Sequence, residues 1–259
     1  MSGIVLSASV RQNLLATQRV FEACAASGVR TVFASSSSIY GEAESHPTCE
    51  DADPRPVSPY GVTKLACEKL AFAYAAGAGL DVVMLRYFSV YGPRQRPDMA
   101  FCRLLQSLLA GRPFTLIGNG RQVRDFTYVG DVVQASVLAM ERGQPGAVYN
   151  VGGGAPVALA DAIRICQRLT GRRLRVRRAG DSAGDPLRTS ADTSRIRAEL
   201  SWGPRVPLEE GLARQLEADA TRLAASITPG PRPARLGRAG SEAAATSRFP
   251  AGATAAPRS

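Results

Sequence analysis

One histidine, His46, stands in the whole chain of 259 residues, in the polar stretch GEAESHPTCED. A Ser-His-Asp hydrolase or a His-ligated metal therefore has little to be built from. The five cysteines, Cys24, Cys49, Cys67, Cys102 and Cys166, are odd in number, scattered and without a C-x-x-C. That pattern excludes a disulfide framework and gives no zinc site, so no metal is expected. No apolar run is long enough to cross a membrane, and the start, MSGIVLSASVRQ, has no basic segment before an apolar one. The expectation is a cytoplasmic protein with no membrane contact. Aromatics are only 6 %, although the formal net charge is +10. The charge sits in two places: residues 226–259 hold five Arg and one Glu, and RRLRVRR (172–178) holds five more Arg. Neither is interleaved with aromatics, so we expect a solvated basic surface and no nucleic-acid partner. The same field would favour a small phosphate-bearing substrate.

What is present is ordinary for a soluble globular chain: 45 % hydrophobic and 21 % charged residues. Leu14, Thr17, Phe21 and Cys24 recur at helical spacing, predicting a helix over residues 10–28 closed by Gly28. TVFAS (31–35) and DVVMLRYF (81–88) read as buried parallel strands, with a helix over 59–77 between them. Further helices are expected at about 98–110, 131–140, 157–170, 193–200 and 208–224, and strands at RDFTYV (124–129) and AVYNV (147–151). Strands alternating with helices make the fold class α/β with a parallel sheet. After about residue 226 the Pro, Gly, Ala and Arg composition builds no core and reads as a disordered tail.

Chemistry concentrates in SPYGVTKLACEKL. Tyr60 and Lys64 are four residues apart on a predicted helix, so they share a face. In many helices such a tyrosine only packs and the lysine is solvated. The alternative is a general acid/base, in which an ammonium lowers a phenol pKa of about 10 toward neutrality. The strand TVFAS opens into SSSSIYG, a hydroxyl-rich turn at a strand's C-terminal end, where open α/β sheets bind ligands. A serine there suits a hydrogen bond to a substrate hydroxyl.

FASSSSIYGE, SPYGVTK, LRYFSVYGPRQRPDMAF, GNGRQVRDFTYVGDVV and YNVGGG, in that order over about residues 10–220, together resemble the extended short-chain dehydrogenase/reductase family. They are most similar to its NAD-dependent nucleotide-sugar epimerases and dehydratases. The resemblance implies a Rossmann-like parallel sheet carrying NAD and a smaller C-terminal part holding a nucleotide sugar. It divides the chain into residues 1–93 with 126–152 returning to them, a sugar-nucleotide part of 94–125 and 153–225, and the tail 226–259. It implies Ser36, Tyr60 and Lys64 as catalytic, with Lys64 and Tyr60 also on the cofactor. Asn13, Tyr87 and Phe88 complete the cofactor side. Ser37, Ser38, Ser89, Arg96, Arg124 and Arg188 fall on the substrate, the arginines suiting phosphate or carboxylate through their planar donor fork. The implied reaction is a 4-epimerisation by transient oxidation at C4, with Tyr60 moving the proton and NAD the hydride. Homodimers through long helices, here including 59–77, are expected on the same ground.

Within the family, Ser37 and Ser38 stand where dehydratases and decarboxylases carry acidic residues, which disfavours 4,6-dehydration and decarboxylation. FSVYGPRQRPDMAF is closest to UDP-glucuronate 4-epimerases, with Ser89 for their Thr and Arg96 near a sugar carboxylate. UDP-glucose remains the other substrate. The chain departs from the pattern in two places. The strand, G-x-x-G-x-x-G and acidic residue that receive NAD in the family are not in this sequence. The expectation is a longer gene or a catalytically dead remnant. Second, two Gly-Asp pairs, 180–181 and 184–185, occupy the place of one, so Arg178 and Arg188 compete for the diphosphate role.

Overall fold

The computed structural model describes residues 10–180 and 186–227. Its first turn, Val10–Leu15, is wound as a π-helix and continues into α1 (Ala16–Ser27), which Gly28 closes in the left-handed conformation (φ 61°). The expected single helix over 10–28 is thus two kinds of helix. Strand β1 (Thr31–Ser36) follows, and Ser36 caps the 3-10 turn Ser37–Ile39 by accepting from the Ser38 N–H. Helix α2 (Pro59–Ala78) starts as its sequence demands. Ser58 accepts from the Gly61 N–H as N-cap, Pro59 takes the first helical position, and Gly79 ends it.

Next come β2 (Val82–Tyr87), β3 (Val90–Tyr91), α3 (Ala100–Ala110) and β4 (Phe114–Ile117). RDFTYV is not the single strand expected. It splits into β5 (Val123–Arg124) and β6 (Thr127–Tyr128), which pair with different partners. The reason is Asp125: fully buried between them, it turns inward to accept the Ala191 N–H. The rest comprises α4 (Val129–Arg142), β7 (Val148–Val151), β8 (Val157–Ala158), α5 (Leu159–Thr170), β9 (Val176–Ala179), α6 (Ser194–Leu200) and α7 (Leu208–Ile227). Of the two Gly-Asp pairs only Gly180 is among the described residues. So is the beginning, 226–227, of the expected tail, which ends α7; residues 228–259 lie outside them.

The main sheet is parallel, ordered β1-β2-β7, with Thr31 opposite Val82 and Met84 opposite Val148. The central strand β2 is buried from Val82 to Arg86, as a strand covered on both faces must be. One face packs Phe33, Val82 and Met84 against Phe21 of α1 and Cys67 and Ala71 of α2. The other packs Val83, Leu85 and Tyr149 against α4, α6 and Trp202. A separate core of Tyr91, Phe101, Leu105, Leu108, Phe114, Ile163 and Leu212 joins α3, α5, α7 and the small β4-β9 sheet. No helix among the described residues is long and apolar enough to cross a membrane.

Candidate active site

The C-terminal end of β1 meets the N-terminal end of α2, and the contact depends on Gly61. A Cβ there would collide with the Ser38 carbonyl oxygen and touch Pro56, so only glycine lets the helix lie directly on the serine turn. This approach brings the first turn of α2 to the serine turn, and the Ser36 side chain favours the ionised form of Tyr60. The Ser36 hydroxyl accepts from Ser38, from its N–H at 3.2 Å and its hydroxyl at 2.9 Å. Ser36, Ser37 and Ser38 are all half-buried, and Tyr60 is 45 % exposed.

Lys64 lies on the same face of α2. Its ammonium donates to the Ala34 carbonyl at 2.8 Å and stands 5.9 Å from the Tyr60 ring centroid and 4.9 Å from that of Phe33. Crowding by surrounding protein raises the Tyr60 pKa above its ordinary value, and the same desolvation lowers that of Lys64. What draws Tyr60 back toward ionisation is the Ser36 side chain and then the charge of Arg96. Helical spacing fixed the face; it did not fix where the ammonium would find its acceptor.

Asn13, in the π-helical turn, donates to the Thr63 hydroxyl at 3.0 Å, and that hydroxyl donates to the Tyr60 carbonyl at 2.9 Å. Asn13 therefore braces the first turn of α2. Tyr87 is half-buried, its hydroxyl bonded to Ser136 at 2.9 Å. Phe88 is 1 % exposed among Ile39, Tyr40 and Ala191, an interior side chain that the structure does not bring to the opening.

Ser89 and Arg124 line a cavity of about 260 Å³ with Gln95, Met99, Phe101, Arg103, Gln122 and Phe126. In the loop from Gly92 to Met99, Gln95 and Met99 line the cavity, and the charge of Arg96 between them favours the ionised form of Tyr60. Arg188 forms an isolated backbone bridge with Val123, the neighbour of Arg124. Arg178, its rival for the diphosphate role, is exposed on β9. The site thus gathers two regions. One is the group of Ser36, Tyr60 and Lys64 where β1 meets α2, and the other is a mostly apolar cavity that Arg103 and Arg124 also line.

Sequence reasoning missed the layer behind this. Glu68, one further helical step along the face of Tyr60 and Lys64, is 1 % exposed and forms a bidentate pair with Arg86, at 3.0 and 2.8 Å. Arg86 also donates to the Tyr40 hydroxyl and the Glu50 carbonyl, both at 2.8 Å, and Ser35 donates to Glu68. Tyr40 in turn donates to Asn150 on β7. The signal was legible as Y-x-x-x-K-x-x-x-E, a charged residue continuing the chemical face of the helix.

A Rossmann-like cofactor would meet this chain at Tyr60 and Lys64. Lys64 donates to the carbonyl of Ala34, the exposed residue of β1, a strand that among the described residues has a neighbour on one side only. These side chains suit a ribose and nicotinamide. Among the described residues no glycine-rich turn leads from a main-sheet strand into a helix N-terminus, so the fit covers that end of the cofactor and not its pyrophosphate.

The sequence model of the NAD dependent epimerase/dehydratase family matches residues 6–152. An uncharacterized UDP-glucose epimerase, YtcB, of Bacillus subtilis (strain 168) is 40 % identical over 208 residues, covering 79 % of this chain and 65 % of the relative. The UDP-glucuronate 4-epimerase of Thermodesulfobacterium geofontis (strain OPF15) is 36 % identical over 209 residues, covering 79 % and 64 %. This chain therefore spans just under two thirds of those relatives' own length. Among solved structures, MoeE5 in complex with UDP-glucose and NAD superposes with a TM-score of 0.80 at 47 % identity, over 83 % of this chain and 73 % of MoeE5.

Proposed function

The chain belongs to the NAD dependent epimerase/dehydratase family, and on that premise we propose that it binds NAD and a UDP-sugar and inverts the sugar at C4. The observation that carries this reading is the placing of Tyr60 and Lys64 on the first turns of α2, which Gly61 lets lie directly on the serine turn at the end of β1, together with a cavity of about 260 Å³ lined by Arg103 and Arg124. When bound, NAD supplies the hydride acceptor and the hydride that returns. The chain's own residues do the rest. Ser36 orients the C4 hydroxyl, and Tyr60 takes its proton and gives it back. Lys64 leaves the Ala34 carbonyl for the ribose hydroxyls of the cofactor. Arg124 and Arg188 hold the diphosphate, and the Phe101 and Phe126 walls take the apolar part of the nucleoside. Serines at 37 and 38, rather than acids, support epimerisation over loss of water. Arg96 and Ser89 support a uronate, and UDP-glucose is the second substrate to test. The outer surface of α1 and α2, with Val20, Val62 and Phe72 exposed, is the surface for a homodimer.

The test is calorimetric titration of the purified chain with UDP and with NAD. It is followed by incubation of UDP-glucuronate or UDP-glucose with NAD and chromatographic separation of the C4 epimers. Binding of both ligands and formation of the C4 epimer support the reading. An absence of UDP binding overturns it.

A further inference from the structure

The loop that carries Arg96 is built rather than loose. The Gln95 side chain donates to the Val90 carbonyl at 3.1 Å and accepts from the Cys102 N–H at 3.0 Å and the Gln215 amide at 3.2 Å. The Gly92 N–H donates to Gln215 at 3.0 Å, and the Met99 N–H to the Arg96 carbonyl at 3.1 Å. Within this frame the Arg96 guanidinium makes two parallel hydrogen bonds to Asp98, Nε to Oδ1 at 3.1 Å and Nη2 to Oδ2 at 2.9 Å. Proline at 97 stands between them and fixes the backbone that closes the fork. This is the geometry in which a guanidinium receives a carboxylate. The Arg96 fork is therefore already filled by a carboxylate of the chain itself.

Resting on the epimerase reading, we propose that Asp98 is a specificity-determining residue, an internal carboxylate that occupies the Arg96 fork and against which the carboxylate of a uronate must compete. Arg96 and Asp98 side chains are 74 % and 68 % exposed. A pair so open to water is weakly held and can exchange one carboxylate for another at small cost. A uronate displaces Asp98 and takes over its two hydrogen bonds. A neutral hexose has nothing to offer the fork, so the pair stays closed and the sugar is accepted without an unpaired guanidinium beside it. Asp98 thus narrows the difference between the two sugars, where an unpartnered Arg96 would favour the uronate. The Arg96 hydrogen bond holds the Asp98 carboxyl below the usual carboxylate range. The pair therefore persists through the neutral and mildly acid range.

The experiment compares Kd values of UDP, UDP-glucose and UDP-glucuronate for the full chain with NAD present, in the native protein, in Asp98→Asn and in Arg96→Ala. Asp98→Asn is expected to lower the ratio of the UDP-glucuronate Kd to the UDP-glucose Kd about threefold to fivefold. In Arg96→Ala that ratio rises, and adding Asp98→Asn to it changes nothing further. An unchanged or higher ratio in Asp98→Asn overturns the proposal while UDP binding leaves the epimerase reading standing. Failure of UDP itself to bind the native chain overturns both. A second readout needs no sugar: the Tyr60 phenol, followed by its ultraviolet absorbance against Tyr60→Phe, titrates at lower pH in Asp98→Asn, because Arg96 is no longer neutralised. An unmoved titration counts against the fork being closed by Asp98.

Discussion

Tyr60 is a phenol whose surroundings work against the task proposed for it. Burial raises its pKa, and the Ser36 side chain and the Arg96 charge oppose that. Two outcomes follow for an active preparation. Tyr60→Phe keeps the ring but removes the proton carrier, and kcat is expected to fall by about two to four orders of magnitude. Arg96→Ala leaves the phenol intact but removes a cation that favours its ionised form, so the rising limb of the pH–kcat profile moves to higher pH. An unmoved limb would show that Tyr60 does not titrate in that limb. At this scale the sequence announced Ser36, Tyr60 and Lys64, because their spacings come from local geometry: a strand end, and one helical face. It was silent on Lys64 donating to Ala34 and on Asp98 occupying Arg96. Those contacts depend on where a long flexible side chain finds its acceptor, and spacing along a helix does not specify that.

At the scale of elements, the position of α2 over the serine turn is fixed at two points. Gly61 sets the distance near Tyr60, and the Glu68–Arg86 pair pins the helix two turns later to β2. Gly61→Ala forces the helix away from Ser38. Expected outcomes are a lower melting temperature and a loss of kcat larger than the loss of nucleotide affinity, since the cavity lies on other elements; equal losses would place the damage elsewhere. Glu68→Gln leaves the Arg86 guanidinium 5 % exposed beside a neutral amide. Breaking a buried pair on one side costs about 3–5 kcal/mol, measurable as a fall in the guanidinium midpoint at unchanged slope. A cost below about 1 kcal/mol would mean that Tyr40 and the Glu50 carbonyl suffice for Arg86. The long helices and the three main-sheet strands were legible because each spans several periods of its pattern. The pieces β3, β4, β8 and β9 were not, being two to four residues long and held by partners distant in sequence. Arg86 hid inside VVMLRY, where a lone arginine in an apolar run reads as a strand end rather than the centre of a polar network.

The positive charge of the whole molecule is carried almost entirely by arginine, with Lys64 and Lys69 as the only lysines in the chain. Arginine stays protonated throughout the accessible range, so the alkaline response of the fold belongs largely to its phenols and thiols. Three buried tyrosines matter most. Burial pushes Tyr40 and Tyr149 up to about 12 and Tyr91 higher still. An unfolded phenol ionises near 10. Between pH about 10 and about 12 the unfolded chain therefore releases these protons while the folded one keeps them. Stability is fully present below pH about 10 and falls as pH rises through that window. For Tyr40 alone, 3 % exposed, a shift of this size corresponds to something on the order of 2 kcal/mol. Guanidinium midpoints measured from pH 8 to 11.5 are expected to be level at first and then to drop steeply. Tyr40→Phe separates this from general charge repulsion. It lowers the midpoint at pH 8, because Arg86 and Asn150 lose a shared partner, and it makes the alkaline drop shallower. An equally steep drop in Tyr40→Phe would assign the alkaline loss to the remaining tyrosines and the cysteines.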